Sequence, residues 1–127
     1  MENRYLFRGK TIRGNWVQGL LANRDDKWYI SNKVGRPFAF EIRPESICQC
    51  TGLKDKNGKL IFENDIMEAH IDEDFPEDVS RFKVEWNGKG WVENHPDGVD
   101  REYLDDFDTE HFKVVGNIFD NPELLEV

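Results

Sequence analysis

The sequence predicts a mainly β fold, α+β at the margin: a small SH3-like or partly open antiparallel β-barrel ending in a short C-terminal helical turn. Three observations predict it. Short apolar runs alternate with polar residues at a period of two, which places successive side chains on opposite faces of a strand. Turn-forming residues punctuate these runs at intervals of about ten residues, the spacing that a small barrel or sandwich needs. Sixteen aromatic residues are spread along 127, enough to build a small aromatic core and too many for a disordered chain. That length fits a single domain, residues 1–127.

The elements follow in order. In RYLFR (4–8) Tyr5 and Phe7 alternate with Arg4, Leu6 and Arg8, the signature of a strand. Gly14-Asn15 marks a turn before the strand WVQGLL (16–21), and Asp25-Asp26 closes that segment ahead of WYI (28–30). Gly35-Arg36-Pro37 breaks the chain before FAFEI (38–42). Pro44 biases Arg43 away from helix, so PESICQ reads as a short turn or one helical turn.

The stretch TGLKDKNGKLIFENDI (51–66) admits two readings, a calcium loop or a turn. An EF-hand needs acidic ligands at positions 1, 3 and 5, glycine at 6 and glutamate at 12. With Gly58 at position 6, position 1 is Leu53 and position 12 is Asn64, so the first ligand and the bidentate glutamate are missing. The turn reading holds. Asn57 and Gly58 tolerate the positive φ that hairpins use, and Asp55 can accept from the turn backbone. KLIF (59–62) resumes a strand, and Glu63-Asn64-Asp65 makes the next corner.

Beyond that corner, IMEAHID (66–72) and SRFKVEW (80–86) each alternate apolar with charged residues. Paired antiparallel, they present one apolar face and one face with acids opposite bases, a favourable cross-strand arrangement. NGKG (87–90) reverses the chain into WVEN (91–94). The acidic stretch from His95 to Glu110 reads as a long loop with a helical turn at REYLDDF. HFKVVGNIF (111–119) is the last strand. In DNPELLEV, Asn121 suits a helix N-cap, Pro122 the first helical position and Glu123 the positive end of the dipole. Leu124 and Leu125 should dock that turn.

Charge is unevenly spread. Residues 1–64 hold twelve Lys/Arg against seven Asp/Glu, residues 65–127 five against nineteen, and the chain carries −9. Acids concentrate in HIDEDFPED (70–78) and DGVDREYLDDFDTE (97–110). Such runs are usually solvated loops. Their sharper readings are a divalent-cation site or a docking surface for a basic partner. The docking candidates are Asp72, Glu73, Asp74, Glu77, Asp78, Asp105, Asp106 and Asp108.

Cys48 and Cys50, in SICQCTG, would share one strand face about 6.5–7 Å apart, a strained span for a disulfide. Two thiols do not complete a structural zinc site, and His70, His95 and His111 show no ligand spacing. Reduced thiols without a cofactor are expected. No apolar run approaches the roughly eighteen residues that span a bilayer, and MENRYLFRGK lacks a signal peptide's apolar stretch. An intracellular location is expected, with no membrane contact.

Nucleophile-elbow, zincin and P-loop motifs are all missing. Gly88-Lys89-Gly90 is a reverse turn, too short to cradle phosphate. The least poor catalytic row is Glu68, His70 and Asp72, alternate residues of one strand that would serve a carboxylate or metal-dependent enzyme. A nucleic-acid-binding barrel is the other alternative, with Arg4, Arg8, Lys10, Arg13 and Trp16 as its patch; the net charge opposes it.

TGLKDKNGKLIFENDI resembles the central motif of the phage-associated YopX family, T-G-L-x-D-x-x-G-x-x-I-[FY]-E-G-D-I. FRGK (7–10), WVQGLL (16–21), VEW (84–86) and VVGNIFDNPELLE (114–126) are similar to the family's other segments, so the resemblance spans nearly the whole chain. Asn64 stands where the family usually has glycine, and asparagine can adopt the same left-handed backbone. Cys48 replaces a glycine of the family's V-G-Q-Y. The resemblance implies a β-rich, barrel-like protein of phage or prophage origin, working in the bacterial cytoplasm, and supplies no catalytic residues to carry over. The expected function is therefore a non-enzymatic accessory protein whose acidic surface binds a protein partner, with a homo-oligomer compatible.

Overall fold

The alternation becomes antiparallel pairing in the computed structural model, which describes residues 5–31, 39–70, 74–75, 77–96 and 102–126. The chain divides into two compact units, Met1–Gly52 and Leu53–Val127, and the strands among the described residues pair into antiparallel sheets.

The first unit contains β1 (Phe7–Lys10), β2 (Trp16–Arg24), β3 (Lys27–Ser31), β4 (Phe40–Ile42) and the start of β5 (Cys48–Lys54). β1 lies between β2, in a register running from Phe7↔Gly19 to Lys10↔Trp16, and β5, through Phe7↔Gln49 and Arg8↔Cys48. Just past β1, Thr11 bridges Ile42. The amides of Ile12 and Arg43 donate to the carbonyls of Glu41 and Lys10 at 3.2 and 2.8 Å. The sheet thus curls back on itself at one corner. It does not close into a barrel: β4 is three residues long, and the chain leaves it for a 3-10 turn at Pro44–Ser46.

Inside that corner, Ile30, Ile42, Cys48 and Cys50 are buried, and both cysteines are free thiols. Gly9 is required here, because a Cβ at that position would run into Ile42 Cγ2. Ser46 Oγ accepts from the Lys10 amide at 2.7 Å and donates to the Arg43 carbonyl at 2.7 Å, so a buried hydroxyl ties the corner without an unsatisfied group.

The second unit contains β6 (Leu60–Phe62), β7 (Asp65–His70), β8 (Val79–Trp86), β9 (Trp91–Asn94), α1 (Asp106–His111) and β10 (Lys113–Asn117). A 3-10 turn, Pro122–Leu125, follows. The β7–β8 register pairs Met67 with Phe82 and Glu68 with Arg81. Their apolar face joins Ile61, Val84, Ala69 and Phe112 in one buried cluster, against which Trp91, Leu104 and Val114 pack. Each large side chain in it contributes about 1.5–3 kcal/mol by leaving water.

Several boundaries differ from the sequence expectation. β1 begins at Phe7, with Tyr5 exposed before it; Arg4 lies outside the described residues. A seven-residue strand, β5, occupies CQCTGLK, where glycine and two cysteines conceal the pattern. The helical turn expected at REYLDDF sits further along at Asp106–His111, so His111 is helical and β10 is shorter than HFKVVGNIF.

Two turns also exchange roles. Asn57 keeps negative φ and Gly58 alone is left-handed, at 81°, with the Asp55 amide bonded to the Lys59 carbonyl at 2.8 Å. This is a three-residue hairpin loop and not the two-residue primed turn. The two-residue turn with positive φ at both positions lies instead at Asp25 (55°) and Asp26 (66°), which contain no glycine. Asn64 adopts the expected left-handed backbone at 69°. Asn121 does not cap the final turn through its side chain. Its Oδ1 accepts from the Asn117 amide at 3.3 Å, across a gap left open by the missing side chain of Gly116.

Candidate functional site

The β8–β9 register pairs Val84 with Glu93 and Trp86 with Trp91. Because Val84 faces the core, its cross-strand partner Glu93 does too, and the acid is only 7% exposed. The next segment returns over β9: the Glu93 amide donates to the Glu102 carbonyl at 2.8 Å and the Leu104 amide to the Trp91 carbonyl at 3.0 Å. Asp105 then starts α1. Its Oδ1 accepts from the Asp108 amide at 3.0 Å, and Asp108 Oδ2 accepts from the Asp105 amide at 3.2 Å. This is a reciprocal capping box built from two aspartates.

That box points Asp108 inward, where it is 5% exposed and hydrogen-bonded to Glu93. His95 Nε2 lies 2.7 Å from Glu93 Oε1, and the His95 ring is 5.5 Å from the Phe82 ring. Three titratable groups therefore stand in a row, His95, Glu93 and Asp108, beside an apolar layer.

Burial pushes the Asp108 carboxyl up to about 8, assisted by its hydrogen bond to Glu93 and by the charges of Glu93 and Asp105; the Asp105 amide works the other way. Glu93 is also raised, by burial first and by the charges of Glu102 and Asp105, while the bond from Asp108 lowers it. At neutral pH Asp108, raised to about 8, holds a proton and is the donor to Glu93. Two acids so close in low dielectric share one proton, because ionising both is unfavourable. The arrangement can store and release a proton. Among the described residues, no group of three or more His, Cys, Asp or Glu is arranged to hold a metal ion.

The residues singled out from sequence are placed as follows. Asp74, Glu77 and Asp78 are exposed in the β7–β8 connection, beside Phe75 at 52% exposure. Asp72 and Glu73 lie outside the described residues. Asp105 and Asp106 are exposed at the start of α1, together with Glu110 and Phe107, whereas Asp108 is buried under the helix. Of the enzyme row, Glu68 is bonded to Arg81 at 2.7 Å and His70 is exposed. Arg8 and Lys10 do meet Trp16, with their cationic groups 5.0 and 5.4 Å from its ring centre, but Arg8 is buried. Sequence reasoning missed Glu93 and His95. The signal was available: in WVENH, Trp91, Glu93 and His95 share one strand face, and the hairpin at NGKG sets that face inward.

The family model described as YopX protein matches residues 7–126. A similar solved structure is the crystal structure of protein EF1440 from Enterococcus faecalis, 26% identical, with a TM-score of 0.57 over 94% of this chain and 96% of that one. No curated protein matches the chain. No helix among the described residues is long and apolar enough to cross a membrane.

Proposed function

The chain belongs to the YopX family, and from that membership we propose that it is a phage- or prophage-encoded accessory protein, non-enzymatic, that binds a basic protein partner through an acidic surface in the bacterial cytoplasm. The observation carrying this reading is the partition of charge. Met1–Gly52 holds nine Lys/Arg against five Asp/Glu, and Leu53–Val127 holds eight against twenty-one. Acids of the second unit stand exposed beside exposed aromatics: Asp74, Glu77 and Asp78 with Phe75, and Asp106 and Glu110 with Phe107. Exposed aromatic side chains are the anchors that protein-binding surfaces favour, and a concentrated negative field around them steers basic partners.

The test is capture from bacterial lysate at low and at high salt. A basic protein retained at low salt and released at high salt supports the reading; nothing retained, or retention indifferent to salt, contradicts it. The nucleic-acid alternative is tested by mobility of labelled DNA and RNA at low salt, where phosphate contacts are strongest; no shift is expected.

A further inference from the structure

α1 is six residues long, too short to hold its shape alone, and the single buried residue within it is Asp108. No apolar side chain of this helix is buried; Phe107 is 61% exposed. The helix hangs between two fixed points. On one side the Leu104 amide is bonded to the Trp91 carbonyl. On the other, Phe112 packs in the core, with its ring 5.0 Å from Phe82. Between these points, the group that reaches the sheet is a carboxyl set against another carboxyl.

We propose that the Glu93–Asp108 pair is a proton-operated latch: α1 stays docked on β9 while the two carboxyls share one proton, and lifts away when that proton is released to solvent. The groups facing the pair are Glu102 and Asp105 on the returning segment and His95 beyond β9. Glu102 and Asp105 add negative charge and favour opening once both carboxyls are ionised. His95 Nε2 lies 2.7 Å from Glu93 Oε1. The latch rests on the acidic-surface reading only for its consequence: α1 carries Asp106, Phe107 and Glu110 outward, so opening would rearrange part of the proposed partner-binding face.

The experiment is amide hydrogen exchange on the whole chain from pH 5 to 9, corrected for the intrinsic rate and followed at Thr109 and Phe112, whose amides close the helix on the carbonyls of Asp105 and Asp108. A carboxyl that keeps its proton when docked and loses it when released makes opening more frequent by up to about tenfold per pH unit, or about fiftyfold from pH 6 to 8. The rise should level off near 8, where docked Asp108 itself ionises. Asp108→Asn retains an acceptor for the Asp105 amide and a donor to Glu93, and its opening should not vary with pH over this range. Protection in the wild type that does not change from pH 6 to 8, or the same pH dependence in Asp108→Asn, overturns the latch. Carbon NMR of the wild-type Asp108 carboxyl decides without any variant: a midpoint in the ordinary range near 4 also overturns it. None of these readouts involves a partner, so they stand or fall separately from the capture experiment.

Discussion

Three backbone amides converge on Asp55. Its Oδ1 accepts from Asn57 and Lys59, both at 2.9 Å, and its Oδ2 from Val114 at 2.8 Å, fifty-nine positions away. The local half of this was legible, because an aspartate two residues before Asn-Gly is a turn acceptor; the Val114 bond depends on tertiary pairing that no local pattern reports. Asp55→Ala should lower unfolding stability by about 3 kcal/mol in urea titration, since it strands donors in a site only 6% exposed. Asp108 carries a second residue-scale prediction, of opposite sign to ordinary carboxylates. Its pKa is raised to about 8 in the folded chain from about 4 when unfolded. The folded state therefore binds the extra proton, and this group's contribution to stability falls as pH rises from about 4 to about 8. Asp108→Asn should flatten that slope and raise the thermal midpoint at pH 8, measured by circular dichroism; a lower midpoint there and an unchanged slope would contradict it. The run LDDFDTE reads as surface because its acids are consecutive. Only the capping geometry distinguishes the aspartate turned inward from its two neighbours.

Among the elements, β7 and β8 were the most readable, since strict alternation and facing charges, Glu68 against Arg81, specify both register and inner face. β5 was the least, because Gly52 and the two cysteines interrupt its pattern and Thr51 alone is β-branched. Turn type was legible only in part. Asn57-Gly58 marked a short hairpin turn whose residues tolerate positive φ, and the chain uses positive φ at both positions of a turn at Asp25-Asp26 instead. Asp25→Asn with Asp26→Gly should therefore stabilise the β2–β3 hairpin by about 1 kcal/mol, because left-handed backbone suits asparagine and glycine better. β10 carries a register shift between Val114 and Gly116, and a methyl group at Gly116 would meet Asn121. Gly116→Ala should lower stability by about 2 kcal/mol. Adding Asn121→Ala should recover part of that loss, giving a coupling energy that a double-mutant cycle reads directly.

Across the whole chain, the antiparallel, mainly β character with a short helical piece was legible from period and punctuation. The charge partition was legible from a count alone. Which acids are available to a partner was not: Asp74, Glu77, Asp78 and Asp106 stay exposed and Asp108 turns inward. The most direct measurement is a comparison of lysate capture by the wild-type chain and by Asp74→Lys/Glu77→Lys/Asp78→Lys, whose altered side chains lie outside the buried cluster. The wild type should retain a basic protein that is released as salt rises, and the charge-reversed chain, folded by circular dichroism, should retain at least tenfold less, as expected when about three favourable pairings become repulsive. Equal retention by the two chains, or a captured protein that stays bound at high salt, would contradict an acidic docking surface.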